Sequence, residues 1–295
     1  MKVIRSTRLA WNNQSGILMN NMSGRMTSST ITYPDSIYAS WVSTTAYSLN
    51  SQVTLQNADT GMYHNYNCIL STTAGAIPSL RPDIWKDVGA PERYRMLDFS
   101  AETQSSFGAS GSFVITGDFV DSMAFLNVTG TTSITVNAVN ASSVNVYSKT
   151  VDMTSKTDLV LMDIPSGLWT ITVTLAGAVC KIGTCFWGKQ TDIGGTQYGA
   201  SASINDYSTQ STDIYGNTTL LQRVYSKRLS VNLMIPNANV DKVFSYLAAI
   251  RTTPVIWVGD DNYGTLAVYG VYKDFAVNVA YPDYSTCSLT IEGLA

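Results

Sequence analysis

The sequence is poor in the side chains that most enzyme chemistry uses. It contains one histidine, His64, among 295 residues, so a nucleophile system that depends on histidine could be built only once. Zinc sites of the histidine-rich kind are excluded for the same reason. Charged residues make up 13% of the chain, about half of the ~25% of an ordinary soluble domain. These shortages favour a function that depends on packing and on an uncharged polar surface.

The sequence also lacks a basic field and long apolar runs. The net charge is −3 and the isoelectric point is about 5.1, so we expect no nucleic-acid partner. No stretch approaches the ~20 apolar residues that a membrane span requires, which predicts no membrane insertion. The cations near the N-terminus precede no apolar run of signal-peptide length, so we expect synthesis in a cytoplasm without export.

Cysteine is scarce, and its spacing fits no metal site. The chain has four cysteines, at positions 68, 180, 185 and 287, with no Cys-x-x-Cys pair. Cys180 and Cys185 are close enough in sequence to bridge a hairpin. Without an export signal we expect all four to be free thiols that behave as small buried hydrophobic residues.

The hydrophobic periodicity predicts a mainly β chain with four parts. Residues 1–32 have no sustained period and predict an extended N-terminal arm. Residues 33–90 predict a small, aromatic-rich β module, and residues 91–190 predict a β-sandwich from alternating runs such as 133–139 and 169–175. Residues 191–295 predict an α+β domain with one helix on an antiparallel sheet or open barrel.

The predicted helix lies within residues 238–251. Val240, Val243, Phe244, Leu247 and Ile250 follow helical spacing, and prolines flank the segment on both sides. The following strands, within residues 266–280, carry apolar residues on both faces, and one helix can cover only one of them. Either the sandwich or a neighbouring subunit must supply the second cover. We interpret residues 191–295 as an assembly domain.

Three groups of polar residues were candidates for chemistry. Asp98 and Glu102 could form the carboxylate pair of a glycosidase, but their spacing is ordinary and a turn or capping role explains them better. The cluster at 259–262 could bind a hard cation, but it lacks the spaced acids of a calcium loop and is typical of a hairpin turn. His64 lies between aromatic residues and is typical of a surface or half-buried position.

Aromatic residues in the module are the candidates for ligand binding. Flat rings can stack on the apolar faces of sugars, and such rings also form the core of a domain of this size. The candidates for glycan stacking are Trp41, Tyr47, Tyr63 and Trp85.

The order of residues in this part resembles the small chitin- and cellulose-binding β modules found on glycosidases. The likeness runs through a tryptophan, a tyrosine, a turn followed by valine, a glycine ahead of a tyrosine, and a proline before a closing tryptophan. These residues are Trp41, Tyr47, Val53, Gly61, Tyr63, Pro78 and Trp85. Asn50 and Ser51 stand where that family has a Gly-Asp turn.

The rest of the chain resembles a family of bacteriophage tail proteins that carry such a module near the N-terminus. The likeness spans nearly the whole chain and is carried by residues 91–100, 195–201, 206–208, 225–230, 269–275 and 284–294. It implies a structural component of a phage virion, in the tail, the baseplate or tail tip, or the fibre-attachment region. It implies no catalytic residues.

These observations together predict a virion protein that is made in the host cytoplasm and assembles as a symmetric oligomer. Its expected partners are further copies of itself and other phage tail proteins. We expect no enzymatic activity, no cofactor and no metal site. The alternative is a carbohydrate-binding adhesin that contacts host-surface glycans through the 33–90 module, and both functions could reside in one chain.

Overall fold

The structure is a computed structural model that describes residues 1–12, 15–260 and 263–294. It is mainly β and has a single α-helix within those residues, so the predicted fold class is confirmed. The first half contains β1 (Lys2–Arg5), β2 (Leu9–Trp11), β3 (Leu18–Asn20), β4 (Met26–Ser29), β5 (Ala39–Ser40), β6 (Gln52–Gln56), β7 (Tyr63–Cys68), β8 (Trp85–Gly89), β9 (Ser105–Val120) and β10 (Ser122–Val139).

The second half of the chain is also mainly β. It contains β11 (Asn145–Asp152), β12 (Leu159–Leu161), β13 (Gly167–Asp192), β14 (Gly195–Thr196), β15 (Ser201–Asp206), β16 (Thr209–Thr212), β17 (Thr218–Leu221), β18 (Tyr225–Pro236), α1 (Val240–Ala249), β19 (Val255–Val258), β20 (Ala267–Asn278) and β21 (Tyr284–Gly293). No helix of the described residues is long and apolar enough to cross a membrane.

The central part is one bent antiparallel sheet in the order β4-β9-β13-β10-β11. Its long strands form because apolar residues alternate with Thr and Asn, which places one set of side chains in the core and the other outside. Val136 pairs with Val173 in this way, and both are fully buried. Irregular pairing near residues 129–133 and 176–180 bends the sheet. The sandwich-like core is therefore made by a single sheet and the segments packed on it.

The N-terminal residues lie in the middle of the sheet, where an extended arm was expected. β1 pairs with β13 on one side and with β19 on the other, so it joins the central and C-terminal parts into one sheet. Val3 and Ile4 have no exposed surface, and they belong to cores on opposite faces. A short strand buried on both faces shows no alternation, which is why the sequence pattern missed it.

The C-terminal part has the predicted helix on an antiparallel sheet in the order β1-β19-β20-β21-β18. α1 buries Val243 and Leu247 against the alternating apolar residues of β18 and β21. Phe244, expected on the same face, is exposed, and its ring meets the Phe275 ring in a T-shaped contact with the centroids 5.3 Å apart.

The second face of β20 needs no neighbouring subunit. The irregular pairing between Tyr272 and Asp274 places Tyr272 and Phe275 on the helix side, where they pack against the same core. In the first half of the strand, Val268 belongs to that core, and Tyr269 belongs to the central core of the same chain. Of the two covers that the sequence left open for this strand, the structure shows contacts within the same chain, and the bulge changes which side chains share a face.

The module is a separate four-stranded sheet in the order β5-β6-β7-β8. Its small core consists of Val53, Tyr66, Cys68, Ile84 and Trp85. The sheet is short, and its other large side chains are exposed or half-buried.

A buried carboxylate ties the N-terminal segment to the central sheet. Asp118 is 2% exposed and accepts hydrogen bonds from the Trp187 indole at 2.9 Å and the Thr7 hydroxyl at 3.0 Å. It also forms an ion pair with Arg8 at 3.0 Å. A buried charge is tolerated here because it is paired and accepts hydrogen bonds.

We expect Asp118→Ala to lower the free energy of unfolding by about 3–5 kcal/mol, because Arg8 and Trp187 would lose a buried partner. Chemical denaturation followed by fluorescence measures this. The matched control is Asp163→Ala, since Asp163 forms an exposed ion pair with Lys149 at 2.7 Å that is worth ~1 kcal/mol or less. Equal losses in the two variants would contradict the assigned role of Asp118.

Candidate functional site

Trp85, one of the four predicted glycan-stacking residues, lies in the module core. It begins β8, is 1% exposed and donates its indole N–H to the Ala76 carbonyl at 3.1 Å. Neither face of its ring is open in this structure. Its contribution is to the packing of the module.

Trp41 and Tyr47 lie beside Trp85 and stay half-buried. The Tyr47 ring meets the Trp85 ring edge to face, with centroids 5.3 Å apart, and its hydroxyl accepts the backbone N–H of Val42 at 2.8 Å. Trp41 packs against the same core. These two residues keep part of their side chains open to solvent.

Tyr63 is separate from the other three. Its ring stacks on Tyr94 with centroids 4.7 Å apart and meets Tyr33 edge to face at 5.2 Å. Burial raises the pKa of Tyr33 to about 12 and also raises the pKa of Tyr94, so both phenols are neutral at pH 7. The ring contacts of this cluster attach the module to the central part of the chain. The structure thus brings together three of the four predicted residues.

His64, the single histidine, pairs with Asp87 on the neighbouring strand. The Nδ1 atom of His64 is 2.8 Å from Oδ2 of Asp87. Burial acts to raise the pKa of Asp87, but the hydrogen bonds from His64 and from the Gly89 N–H outweigh it and lower that pKa. The pair connects β7 to β8 at the module surface.

Asp98 has the hydrogen bonds of a turn residue. One carboxylate oxygen accepts the Ser100 N–H at 2.8 Å, and the other accepts the Thr103 hydroxyl at 2.7 Å. These bonds close the loop ahead of β9, which favours the turn role over the catalytic one for this residue. Burial raises the pKa of Asp98 to about 6.

The other polar candidates yield no metal site. Within residues 1–12, 15–260 and 263–294, no group of three or more His, Cys, Asp or Glu side chains is placed to hold a metal ion. The predicted turn at 259–262 lies partly outside the described residues, since positions 261 and 262 are not among them.

The four cysteines are free and buried, as expected. Burial raises the pKa of the Cys185 thiol and raises that of Cys287 to about 11. Both thiols therefore stay protonated and unreactive at neutral pH, and they act as small hydrophobic residues.

A long uncovered surface lies in a segment for which the sequence patterns predict no binding site. Every residue from 206 to 225, which we call the exposed segment, is exposed. It contains the β16–β17 hairpin and leads directly into β18. Its large exposed apolar side chains are Tyr207, Ile214, Tyr215, Leu220, Leu221, Val224 and Tyr225.

The tip of the exposed segment is an ordered turn. Asp213 accepts the backbone N–H groups of Tyr215 at 2.9 Å and Asn217 at 2.8 Å, and the Asn217 side chain donates to it at 2.9 Å. The hydrogen bond from the Asn217 side chain, and after it the one from the Asn217 backbone N–H, hold the pKa of Asp213 below its usual range. Gly216 has a φ of +84°, which favours glycine. The turn presents Ile214 and Tyr215, which are 91% and 84% exposed.

The sequence does contain a signal for this tip. Asp213, Gly216 and Asn217 are turn residues, and two large apolar residues between them are unusual because turns normally face water. The flanking segments are rich in Ser and Thr, which is typical of an ordinary hairpin.

Comparison with protein-family models finds no match to the chain, and comparison with curated proteins also finds none. Neither comparison assigns a family or an activity. The resemblance to phage tail proteins stays a prediction.

The half-buried carboxyl of Asp98 predicts a pH dependence of stability. Its folded pKa of about 6 lies above the ordinary value of 3.8, so between these pH values the folded chain holds a proton that the unfolded chain has released. The contribution of Asp98 to the free energy of unfolding therefore falls as the pH rises through this window.

We expect Asp98→Asn to gain stability relative to the wild type between pH 4 and pH 7, by on the order of 1–3 kcal/mol. Denaturation at both pH values measures this change, with Asp59→Asn, at an exposed turn, as the control. A stability difference that is the same at both pH values would refute a raised pKa.

Proposed function

We propose that the chain is a structural component of a phage virion, in the tail, the baseplate or tail tip, or the fibre-attachment region, and that it assembles there as a symmetric oligomer. The observation that carries this proposal is the uncovered apolar surface of the exposed segment. Monomeric proteins seldom expose apolar patches larger than ~300–600 Å². A protein that works in an assembly covers such a surface with its neighbour.

The positions of the residues that carry the resemblance are consistent with this proposal. Residues 225–230, 269–275 and 284–294 lie in β18, β20 and β21, which are hydrogen-bonded neighbours in the sheet beneath α1. The exposed segment leaves this sheet at the start of β18. The likeness to tail proteins and the uncovered surface thus meet in the same part of the chain.

The edges of the large sheet also favour assembly. In the described residues, β11 pairs only with β10, and β15 pairs only with β18. Unpaired strand edges invite further pairing, and closed symmetric assembly is one way to cover them. The low charge of the chain and its 17 tyrosines suit close subunit contacts, because interface cores are poor in charge and rich in aromatic residues.

The proposal includes no catalytic activity. Asp98, the leading carboxylate candidate, is engaged in a turn, and His64 is engaged with Asp87. These contacts support structural roles for both.

A carbohydrate-binding adhesin is the second candidate, and the position of Trp41 favours it. Trp41 and Tyr47 both pack on the module core and keep exposed surface, as a sugar platform requires. Trp85 would support this platform from within the core. Tyr63 would take no part, because its ring is stacked on Tyr94.

The virion proposal predicts that phage particles contain this chain. Particles purified from host cells in which the native genome directs its synthesis should carry it at a fixed copy number, and quantitative mass spectrometry measures this. Genes for a tape measure protein and for tail fibres beside its gene would add support. Purified, infectious particles without the chain would refute the proposal.

The adhesin proposal predicts binding of chitin or cellulose oligosaccharides that depends on Trp41. We expect Trp41→Ala to weaken binding at least about tenfold, equivalent to ~1.4 kcal/mol, in calorimetric titration. Trp11→Ala is the matched control, since Trp11 is exposed outside the module. Equal affinity in the two variants, or no binding by the wild type, would contradict a glycan platform at Trp41.

A further inference from the structure

A pocket lies at the boundary between the central part and the C-terminal part of the chain. Its walls come from the loop ahead of β9, from β10, from the connection between β11 and β12, and from β18, β20 and the end of β21. Its volume is about 130 Å³, which is that of about four water molecules. Binding pockets occur preferentially where two parts of a protein meet. The size suits a small ligand or the end of one side chain.

Glu102 gives the pocket a carboxylate without a partner. It is one of the two carboxylate candidates of the sequence, and the other, Asp98, is engaged in a turn. Glu102 is half-buried and lines the pocket. Its backbone N–H donates to the Ser100 hydroxyl at 3.3 Å, but within the described residues its side chain makes no hydrogen bond and no ion pair. A half-buried charge is costly unless it is paired, so this carboxylate favours a ligand that carries the opposite charge.

The second carboxylate of the pocket already holds an ammonium group. The Lys227 ammonium pairs with one oxygen of Asp158, whose side chain is 7% exposed. The other oxygen of Asp158 accepts the backbone N–H of Asn127 at 2.9 Å. Because this ion pair is neutral as a whole, Glu102 leaves the pocket with one unbalanced negative charge.

The Tyr269 hydroxyl is a second group in the pocket that lacks a partner. Tyr269 is 4% exposed and lines the pocket, and its ring packs against Phe186 with the centroids 5.4 Å apart. Within the described residues its hydroxyl makes no hydrogen bond, yet it is not among the unpartnered polar atoms that are sealed from solvent. The hydroxyl therefore reaches the solvent of the pocket. Burial raises the pKa of Tyr269, so the phenol is neutral at pH 7 and can accept a hydrogen bond.

The charges and the walls of the pocket favour a primary ammonium group over other small ligands. An anion would meet two carboxylates and one cation, Lys227, that is already paired. A hard metal ion needs many oxygen ligands, and the described part of the chain places no three His, Cys, Asp or Glu side chains to hold one. A neutral ligand would leave the charge of Glu102 unbalanced. Leu126, Val268 and Leu294 supply apolar walls for a short methylene stem.

We propose that this pocket binds a primary ammonium group on a short apolar stem, with Glu102 as its ion-pair partner and the Tyr269 hydroxyl as an acceptor. Such groups occur on free small amines and on the lysine side chains of other proteins. The site goes beyond both proposed functions and depends on neither, since none of its residues belongs to the 33–90 module or to the sugar platform at Trp41.

The test is a titration of the full chain with n-butylammonium chloride, followed by NMR of labelled methyl groups. We expect the methyl signals of Leu126 and Val268, which line the pocket, to shift and to saturate. Parallel titrations use n-butanol, sodium butyrate and calcium chloride, and these should leave the signals unchanged at the same concentrations. Nα-acetyl-lysine methylamide distinguishes the two sources: binding as tight as that of n-butylammonium assigns the site to lysine side chains, and weaker binding assigns it to free amines.

Two variants identify the groups that hold the ammonium. Glu102→Gln should raise the dissociation constant at least about tenfold, because a charge-assisted hydrogen bond is lost. Tyr269→Phe should raise it by a smaller factor without loss of stability, since no group of the chain loses a partner. The matched control is Asp274→Asn, which removes an exposed carboxylate from the same strand as Tyr269 and should bind like the wild type. Circular dichroism establishes that the variants are folded.

Four results would overturn the inference. They are no saturable shift with n-butylammonium, equal binding of n-butanol or butyrate, a shift of the same signals by calcium chloride alone, and unchanged affinity in Glu102→Gln. None of them bears on the presence of the chain in phage particles or on glycan binding at Trp41, because both are measured independently.

Discussion

The insertion of β1 between β13 and β19 is the contact on which the rest of the fold depends. Without it, the central sheet and the helix-covered sheet would end in two unpaired edges, and each core would lose a fully buried residue. The approach is close: a Cβ atom on Gly188 would lie 2.1 Å from the Arg5 carbonyl oxygen. Glycine at that position lets β1 reach its place, so one residue without a side chain allows two halves to become one sheet.

The joined sheet gives the exposed segment a rigid base. β18 is buried on alternate positions against α1 and β21 for most of its length, and only its first residue belongs to the exposed segment. A surface loop that leaves a well-packed strand is held in position by that strand, which is the usual way in which folds present binding residues. Buried apolar side chains are concentrated in the sheet, and large exposed apolar side chains are concentrated in the segment.

Local patterns in the sequence are sufficient to locate the strands and the helix, but they do not predict which strands pair with each other. Alternation located β10 and β13, and helical spacing located α1, because both signals arise within a few residues. The place of β1 depends on residues about 250 positions away, which no periodicity contains. The same distinction holds for the candidate site. The module core around Trp85 could be predicted from its aromatic residues. The stacking of Tyr63 on Tyr94 and the exposure of Ile214 depend on tertiary structure and could not. The bulge at Tyr272 shows how one irregular pair can reverse an argument about faces.

The pairing of β1 with β19 also orders events during synthesis. The strand that starts the chain can be held on its second side only after residues 256–258 have left the ribosome. Until then, Val3 and Ile4 lie on a strand whose second side is an unpaired edge that another nascent chain could pair with. Folding dominated by such distant contacts is slow, since loop-closure entropy is lost before the contacts are gained. The last third of the chain therefore completes the pairing of the first strand. A chain that ends before β19 would leave the second side of β1 unpaired.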